Sequence, residues 1–249
     1  MIRVTLLAAA LLPGLASADP LPSGTSLLSE TLQTQQRDPD ANPGMLWVAE
    51  GARLWDTAAA DGPACAACHD RAEISMRGVA TRYPQVAADG VLLNLEGRIN
   101  RCRIDNQRAA PWDYESGPLL AMTAHVARQS LGLPMDVRID GPAAVHYERG
   151  EVLFQQRQGQ LNLSCAQCHD DNAGRRLRGD TISYGLGNGF PIYRLEWQSL
   201  GSLHRRLRAC SLGVRAVQFD FGSAEYLDLE LYLARRATGV AIETPAIRR

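Results

Sequence analysis

Apolar and polar positions along the 249-residue chain form a pattern that occurs twice. Residues 119–128 and 226–236 carry apolar side chains at helical spacing, which predicts two helices. Ahead of each lies a shorter stretch with the same internal spacing. Leu95, Ile99 and Cys102 form one set, and Leu203, Leu207 and Cys210 the other. These spacings share one helix face, so each thiol lines up with an aliphatic stripe that faces inward. Further upstream, Gly51-Ala-Arg-Leu-Trp55 corresponds to Gly150-Glu-Val-Leu-Phe154. Between these segments the chain is rich in Gly, Pro, Asn and Asp, which predicts loops. Two regions fall outside the repeat. Residues 19–44 are polar and proline-rich and read as an extended arm rather than core. Residues 1–18 place an apolar run, 4–15, behind Arg3 and end in Ala16-Ser17-Ala18. That is the pattern of a secretory signal peptide cleaved after Ala18, too short an apolar run to span a bilayer well. No later segment reads as transmembrane, so the expected location is the periplasm.

Composition narrows the function classes. Apolar residues make up 45% and charged residues 21%, as in a globular protein. The formal net charge of −1 gives no general attraction to nucleic acid or to an anionic membrane. All 26 basic residues are arginine, so every cationic contact is a planar, permanently charged fork.

Six cysteines in an exported chain first suggest three disulfides. Their spacing argues for something else. Cys65, Cys68 and His69 form a C-x-x-C-H motif, and Cys165, Cys168 and His169 form a second. This is the attachment pattern of c-type haem: two thiols bond the vinyl groups and the adjacent histidine supplies an axial nitrogen. Two covalently bound haem c groups are expected. The fold class that follows is all-α, with two tandem cytochrome c-like haem domains related by internal duplication and an extended N-terminal arm. The boundaries are 1–18 for the signal peptide, 19–44 for the arm, 45–145 for the first domain and 146–249 for the second. Cys102 and Cys210 are left over. A disulfide between them would tie two separate cores together, whereas their equivalent, inward-facing positions give each a place within its own domain.

The second axial position of each iron needs a ligand. No Met follows Met135, and the chain has no Lys. Ligands for the second haem are therefore sought among His146, His204 and Cys210. His146 aligns with Trp47, and His204 sits about 120° around the helix from Cys210. Cys210 is the best candidate, and by symmetry Cys102 serves the first haem. Met122 and His125 stay open there, although they align with Leu229 and Tyr232. Arginines surround both thiols, with Arg98 and Arg206 each four residues before the cysteine. Between residues 197 and 219 lie Arg205, Arg206, Arg208 and Arg215 and no acid at all, while the first copy offsets its arginines with Glu96 and Asp105. Uncompensated positive charge beside Cys210 favours a thiolate and attracts an anion. Some of these arginines are also expected to meet haem propionates.

Three stretches carry a family resemblance: CAQCH at 165–169, GFPIYRLEWQSLGSLHRRLRACSLGVRA at 189–216 and GSAEYLDLELYLARRATG at 222–239. They resemble the SoxA family, the dihaem cytochromes of the sulfur-oxidising Sox system. The first half, with its own CAACH and Cys102, is similar to the dihaem branch. The resemblance implies a heterodimer with the monohaem cytochrome SoxX. It implies oxidative coupling of thiosulfate to a cysteine of the carrier SoxYZ, with two electrons passed to a soluble cytochrome c. It also implies that Cys210 is the catalytic haem ligand, as persulfide or thiolate. Arg206 would contact substrate, helped by Arg205 or Arg208, and Cys102 would ligate the first haem. A dihaem electron carrier or a dihaem peroxidase without sulfur transfer are the alternative readings.

Overall fold

A computed structural model describes residues 19–59 and 61–249. The signal peptide expected at 1–18 lies outside the described residues. The first half runs through helices α1 (Glu30–Arg37), α2 (Met45–Asp56), α3 (Cys65–His69), α4 (Ala72–Ser75), α5 (Leu95–Asp105) and α6 (Gly117–Arg128). The second contains α7 (Ala144–Gln155), α8 (Cys165–His169), α9 (Leu203–Gly213) and α10 (Ala224–Arg236). Each helix expected from the periodicity is present. The two thiol-bearing helices and the two closing helices all start on a side-chain cap. Asn94 accepts from Gly97, Ser116 from Leu119, Ser202 from Arg205 and Ser223 from Tyr226. Each cap satisfies a backbone donor that the first helical turn leaves open.

The halves match in packing as well as in order. In the first, α2 crosses α6 at Gly51, where an added Cβ would lie 2.2 Å from the Ala121 carbonyl oxygen. In the second, α7 crosses α10 at Gly150, where it would lie 2.1 Å from the Asp228 carbonyl oxygen. Only a residue without a Cβ allows either pair of backbones to approach so closely. One apolar core runs through both halves, joining Trp55, Met122, Val126 and Met135 to Leu231, Ala234, Val240 and Ile242.

Helices dominate, and short strands accompany them. β1 (Gln85–Val86) pairs with β2 (Leu92–Leu93), and β3 (Arg176–Leu177) with β4 (Asp180–Thr181). β5 (Ile192–Arg194) lies between antiparallel β6 (Ser199–Gly201) and parallel β7 (Ala246–Arg248). Strands of two or three residues are too short to show a period-two pattern, so they left no readable trace in the sequence.

The segment expected as an extended arm contains α1 and is seated on β7. Gln36 accepts from the Ile247 amide at 2.9 Å, and Asn42 donates to the Pro245 carbonyl at 2.9 Å. Both side chains are buried. Their polarity serves backbone hydrogen bonding rather than solvation, and composition alone does not distinguish the two.

Candidate functional site

The second C-x-x-C-H motif is one short helix with a reciprocal cap. Ser164 Oγ accepts from the Gln167 amide at 3.2 Å, and Gln167 Oε1 accepts from the Ser164 amide at 2.9 Å. The chain then turns so that the Ser183 carbonyl meets His169 Nδ1 at 2.7 Å. Nδ1 therefore carries the proton and donates, which fixes the ring and turns Nε2 away from the Ser183 carbonyl. Gly185, with φ near +70°, lies under the ring, and a Cβ there would come within 3.0 Å of His169 Cγ. α9 brings Cys210 to the other side, beside the His169 side chain. The sequence motif and the lone thiol thus meet at one point.

Charge decides the state of that thiol. Burial pushes Cys210 up, but the His169 contact and the cations of Arg206 and Arg194 outweigh it and hold the thiol below its ordinary value. Cys165, buried and close to Cys210, is pushed the other way, up to about 11. Arg206 has no hydrogen-bonded or ion-paired side-chain partner among the described residues. Its neighbours on the helix are engaged elsewhere. Arg205 lies 3.7 Å from Glu115, bonds Ser199 Oγ at 3.2 Å and stacks 4.1 Å over Trp197. Arg208 donates to the Phe219 carbonyl and to Gln218 Oε1. Arg205 and Arg208, expected as helpers of Arg206, are bound into the fold. The acid that neutralises Arg205 comes from the other half of the chain, so a local count of charges could not find it.

The structure adds a cation that sequence reasoning missed. Arg194 ends β5, is 8% exposed and bonds Glu196 at 2.9 Å. Its Nε is buried without a partner. Burial and the like charge of Arg206 both act against its own cation. Its sixteen-residue separation from Cys210 hid it, although it stands inside the stretch that carries the family resemblance.

The first motif is built differently. His69 packs 5.8 Å from the Trp55 ring, and Trp55 Nε1 donates to the Asp70 carbonyl at 2.9 Å. Cys102 is close enough to Cys65 to raise its thiol further, after burial. Asn106 donates to Cys102 Sγ at 3.7 Å, and Gln107 to Cys65 Sγ at 3.5 Å. All six cysteines are free, so Cys102 and Cys210 are not bonded to each other. Two of the other ligand candidates are committed: His146 pairs with Asp228 at 2.6 Å and His204 contacts Glu230 at 3.0 Å. Met122 and His125 are buried in α6, and His125 Nδ1 has no partner among the described residues.

The donor sets fit haem c. Each short helix offers two thiols and a following histidine, and Gly185 provides a cradle that a side chain would fill. The histidine anchored through Nδ1 has the tautomer an iron ligand needs.

Known proteins are similar to this chain in sequence and in fold. A family model described as the SoxA/TsdA cytochrome c domain matches residues 50–135. The L-cysteine S-thiosulfotransferase subunit SoxA of Pseudaminobacter salicylatoxidans is 41% identical over 224 residues, covering 89% of this chain and 78% of that protein. This chain belongs to the SoxA family. The SoxA subunit of Rhodovulum sulfidophilum is 39% identical over 92% of this chain and 81% of its own. The crystal structure of SoxXA from Paracoccus pantotrophus superposes with a TM-score of 0.88 at 35% identity, covering 92% of this chain and 87% of that chain. The helix-dominated cytochrome c architecture is therefore the SoxA fold. Among the described residues, no helix is long and apolar enough to cross a membrane.

Proposed function

We propose that this chain is the dihaem subunit of an L-cysteine S-thiosulfotransferase. It joins thiosulfate oxidatively to a cysteine of a SoxYZ-type carrier, in a heterodimer with a SoxX-type cytochrome in the periplasm. The observation that carries this reading is the meeting of Cys210 with His169 beside Arg206, a cation with no acid partner among the described residues. An electron carrier needs no reactive thiolate and no anion site.

Cys65, Cys68 and His69, with Cys102, would hold one haem, and Cys165, Cys168 and His169, with Cys210, the other. The haem supplies a one-electron acceptor from which electrons pass on to a cytochrome c. The remaining chemistry belongs to the chain. Arg206, with Arg194 behind it, binds the sulfonate end of thiosulfate by charge-assisted hydrogen bonds. This points the outer sulfur at Cys210. A sulfur–sulfur bond forms between the Cys210 thiolate and that sulfur, and two electrons leave. The carrier thiolate then attacks the same outer sulfur. The bond to Cys210 breaks, Cys210 departs as thiolate, and the carrier keeps the S-thiosulfonate. This second step is ordinary thiol–disulfide exchange and needs no oxidant.

Peptide mass mapping of the exported, haem-loaded protein tests the reading. Thiosulfate without carrier should add a thiosulfonate or sulfane sulfur to the Cys210 peptide, and carrier thiol should remove it. A Cys210 peptide that stays unmodified while turnover proceeds would overturn the proposal.

A further inference from the structure

A second set of titratable groups lies away from the thiols, where the two halves meet. Glu96 and His204 occupy equivalent positions, each second in a thiol-bearing helix, α5 and α9. They are 6% and 1% exposed. Glu230 of α10 stands between them. Its Oε2 accepts from Asn94 Nδ2 at 3.0 Å and lies 3.0 Å from His204 Nε2. A cavity of about 50 Å³ between the halves is lined by Glu96, Glu230 and Thr123. Thr123 Oγ1 is buried with no hydrogen-bond partner. The walls are mostly apolar, and the carboxyls of Glu96 and Glu230 with the Thr123 hydroxyl supply the polar groups that an ordered water needs.

We propose that this cavity is a buried proton-binding site, with the proton on the Glu96 carboxyl and shared through water with Glu230 and Thr123, so that the seam between the two thiol-bearing helices is sealed by a neutral acid.

The charges around the cavity require this arrangement. The Gly222 amide donates to His204 Nδ1 at 3.1 Å, so that nitrogen carries no proton. His204 is thus the neutral Nε2–H tautomer, turned toward Glu230 but off the line of a well-formed hydrogen bond. Glu230 has the Asn94 donor and lies near the His204 N–H, while Glu96 has no side-chain donor among the described residues. Of two carboxyls lining one space, a buried one without side-chain donors keeps its proton beside a half-buried, ionised neighbour. Glu115 adds a third acid, but it takes the Ser202 amide at 3.1 Å and faces Arg205 at 3.7 Å. Tyr114 hydrogen-bonds Asn94, stacks on His204 and stays neutral, its phenol pushed well up by burial and by Glu96 and Glu230. Burial first, then the Glu230 charge, raise Glu96 to about 8, against its own backbone hydrogen bond and with a smaller push from Glu115.

The sign of the linkage follows. The folded state holds a proton that the unfolded state releases near the ordinary value of 4.5. The stabilisation is complete below that value and is lost as pH rises to about 8. In this window the Glu96 contribution to the folding constant falls by as much as about tenfold per pH unit.

The test uses full-length, haem-loaded protein, with E96Q and E230Q variants. Infrared spectroscopy should show a protonated carboxyl at neutral pH that fades as pH approaches about 8 and is missing in E96Q. The denaturation midpoint of wild type should fall across this window relative to E96Q. In E230Q the carboxyl signal should fade at lower pH, because the neighbouring charge is gone. A wild-type signal that fades in the ordinary carboxylate range would overturn the proposal, as would equal pH slopes for wild type and E96Q. If E96Q does not fold, an unchanged fading point in E230Q overturns it equally.

Discussion

The surroundings of Cys102 and Cys210 differ although the helices that carry them are built alike. Both helices are capped by a side chain, both carry an apolar stripe, and both place an arginine four residues ahead of the thiol. Around Cys102 two of the neighbouring arginines are occupied. Arg101 pairs with Asp89, and Arg103 stacks 3.6 Å over Trp112 and bonds the Ala110 carbonyl. Arg98, the counterpart of Arg206, is exposed, likewise has no side-chain partner among the described residues, and lines a separate small cavity with Tyr83 and Leu93. Around Cys210 the fold leaves Arg206 half-buried and, among the described residues, unpaired, and brings in Arg194 from a strand. His169 is anchored to a carbonyl, while His69 rests on Trp55. On the proposed function, a common scaffold would support a ligand position in one half and a reactive position in the other. The difference lies in where the free cation stands: Arg206 is half-buried beside Cys210 together with Arg194, whereas Arg98 is exposed.

The largest expected effect is at the thiols themselves. C210A removes the attacking sulfur and should lower turnover by on the order of 10³-fold or more. C102A should keep turnover within about tenfold while altering the spectrum of the first haem. Steady-state kinetics with the carrier as acceptor separate the two. Equal losses would erase the functional distinction between the halves.

Arg206 comes next. Charge-assisted hydrogen bonds contribute about 1.5–3 kcal/mol, so R206Q should lower kcat/KM by about 10- to 100-fold, mostly through KM for thiosulfate. R98Q, its counterpart, should change kcat/KM by less than about twofold. Arg194 acts from further back, and R194Q should cost about three- to tenfold in kcat/KM. If R194Q equalled R206Q, the two arginines would form one fork rather than a contact and its support.

Much of the fold was legible in the sequence because helices of ten residues or more impose a period on their side chains. Leu119 to Val126 on α6 and Tyr226, Leu229, Leu231 and Leu233 on α10 are buried as the pattern requires. The C-x-x-C-H motifs were legible because covalent haem attachment fixes residue identity and spacing together. Three features were not. The strands are too short to have a period, and the residue that adds charge to Cys210, Arg194, sits on one of them. The polarity of Gln36 and Asn42 was read as solvation, whereas both side chains are buried and bond the backbone around β7. The third is pairing across the seam. Arg205 looked free because its acid, Glu115, lies ninety residues away in the other half. Local sequence reports the charges near a thiol, but only the tertiary fold says which of them are already matched.

Arg205 gives the smallest expected effect and the narrowest test of that last point. It adjoins Arg206 in sequence, and by charge alone the two are indistinguishable. Its guanidinium lies 4.1 Å over Trp197 and 3.7 Å from Glu115, and it is one-third exposed. A partly exposed ion pair with cation–π contact stabilises by about 1 kcal/mol or less. R205Q should therefore lower the unfolding free energy by that amount and leave kcat/KM for thiosulfate within about twofold of wild type. Denaturant titration reads the first quantity and steady-state kinetics the second. A large loss in KM with unchanged stability would place Arg205 at the anion instead. The distinction between free and neutralised arginines would then have to be redrawn around a pair.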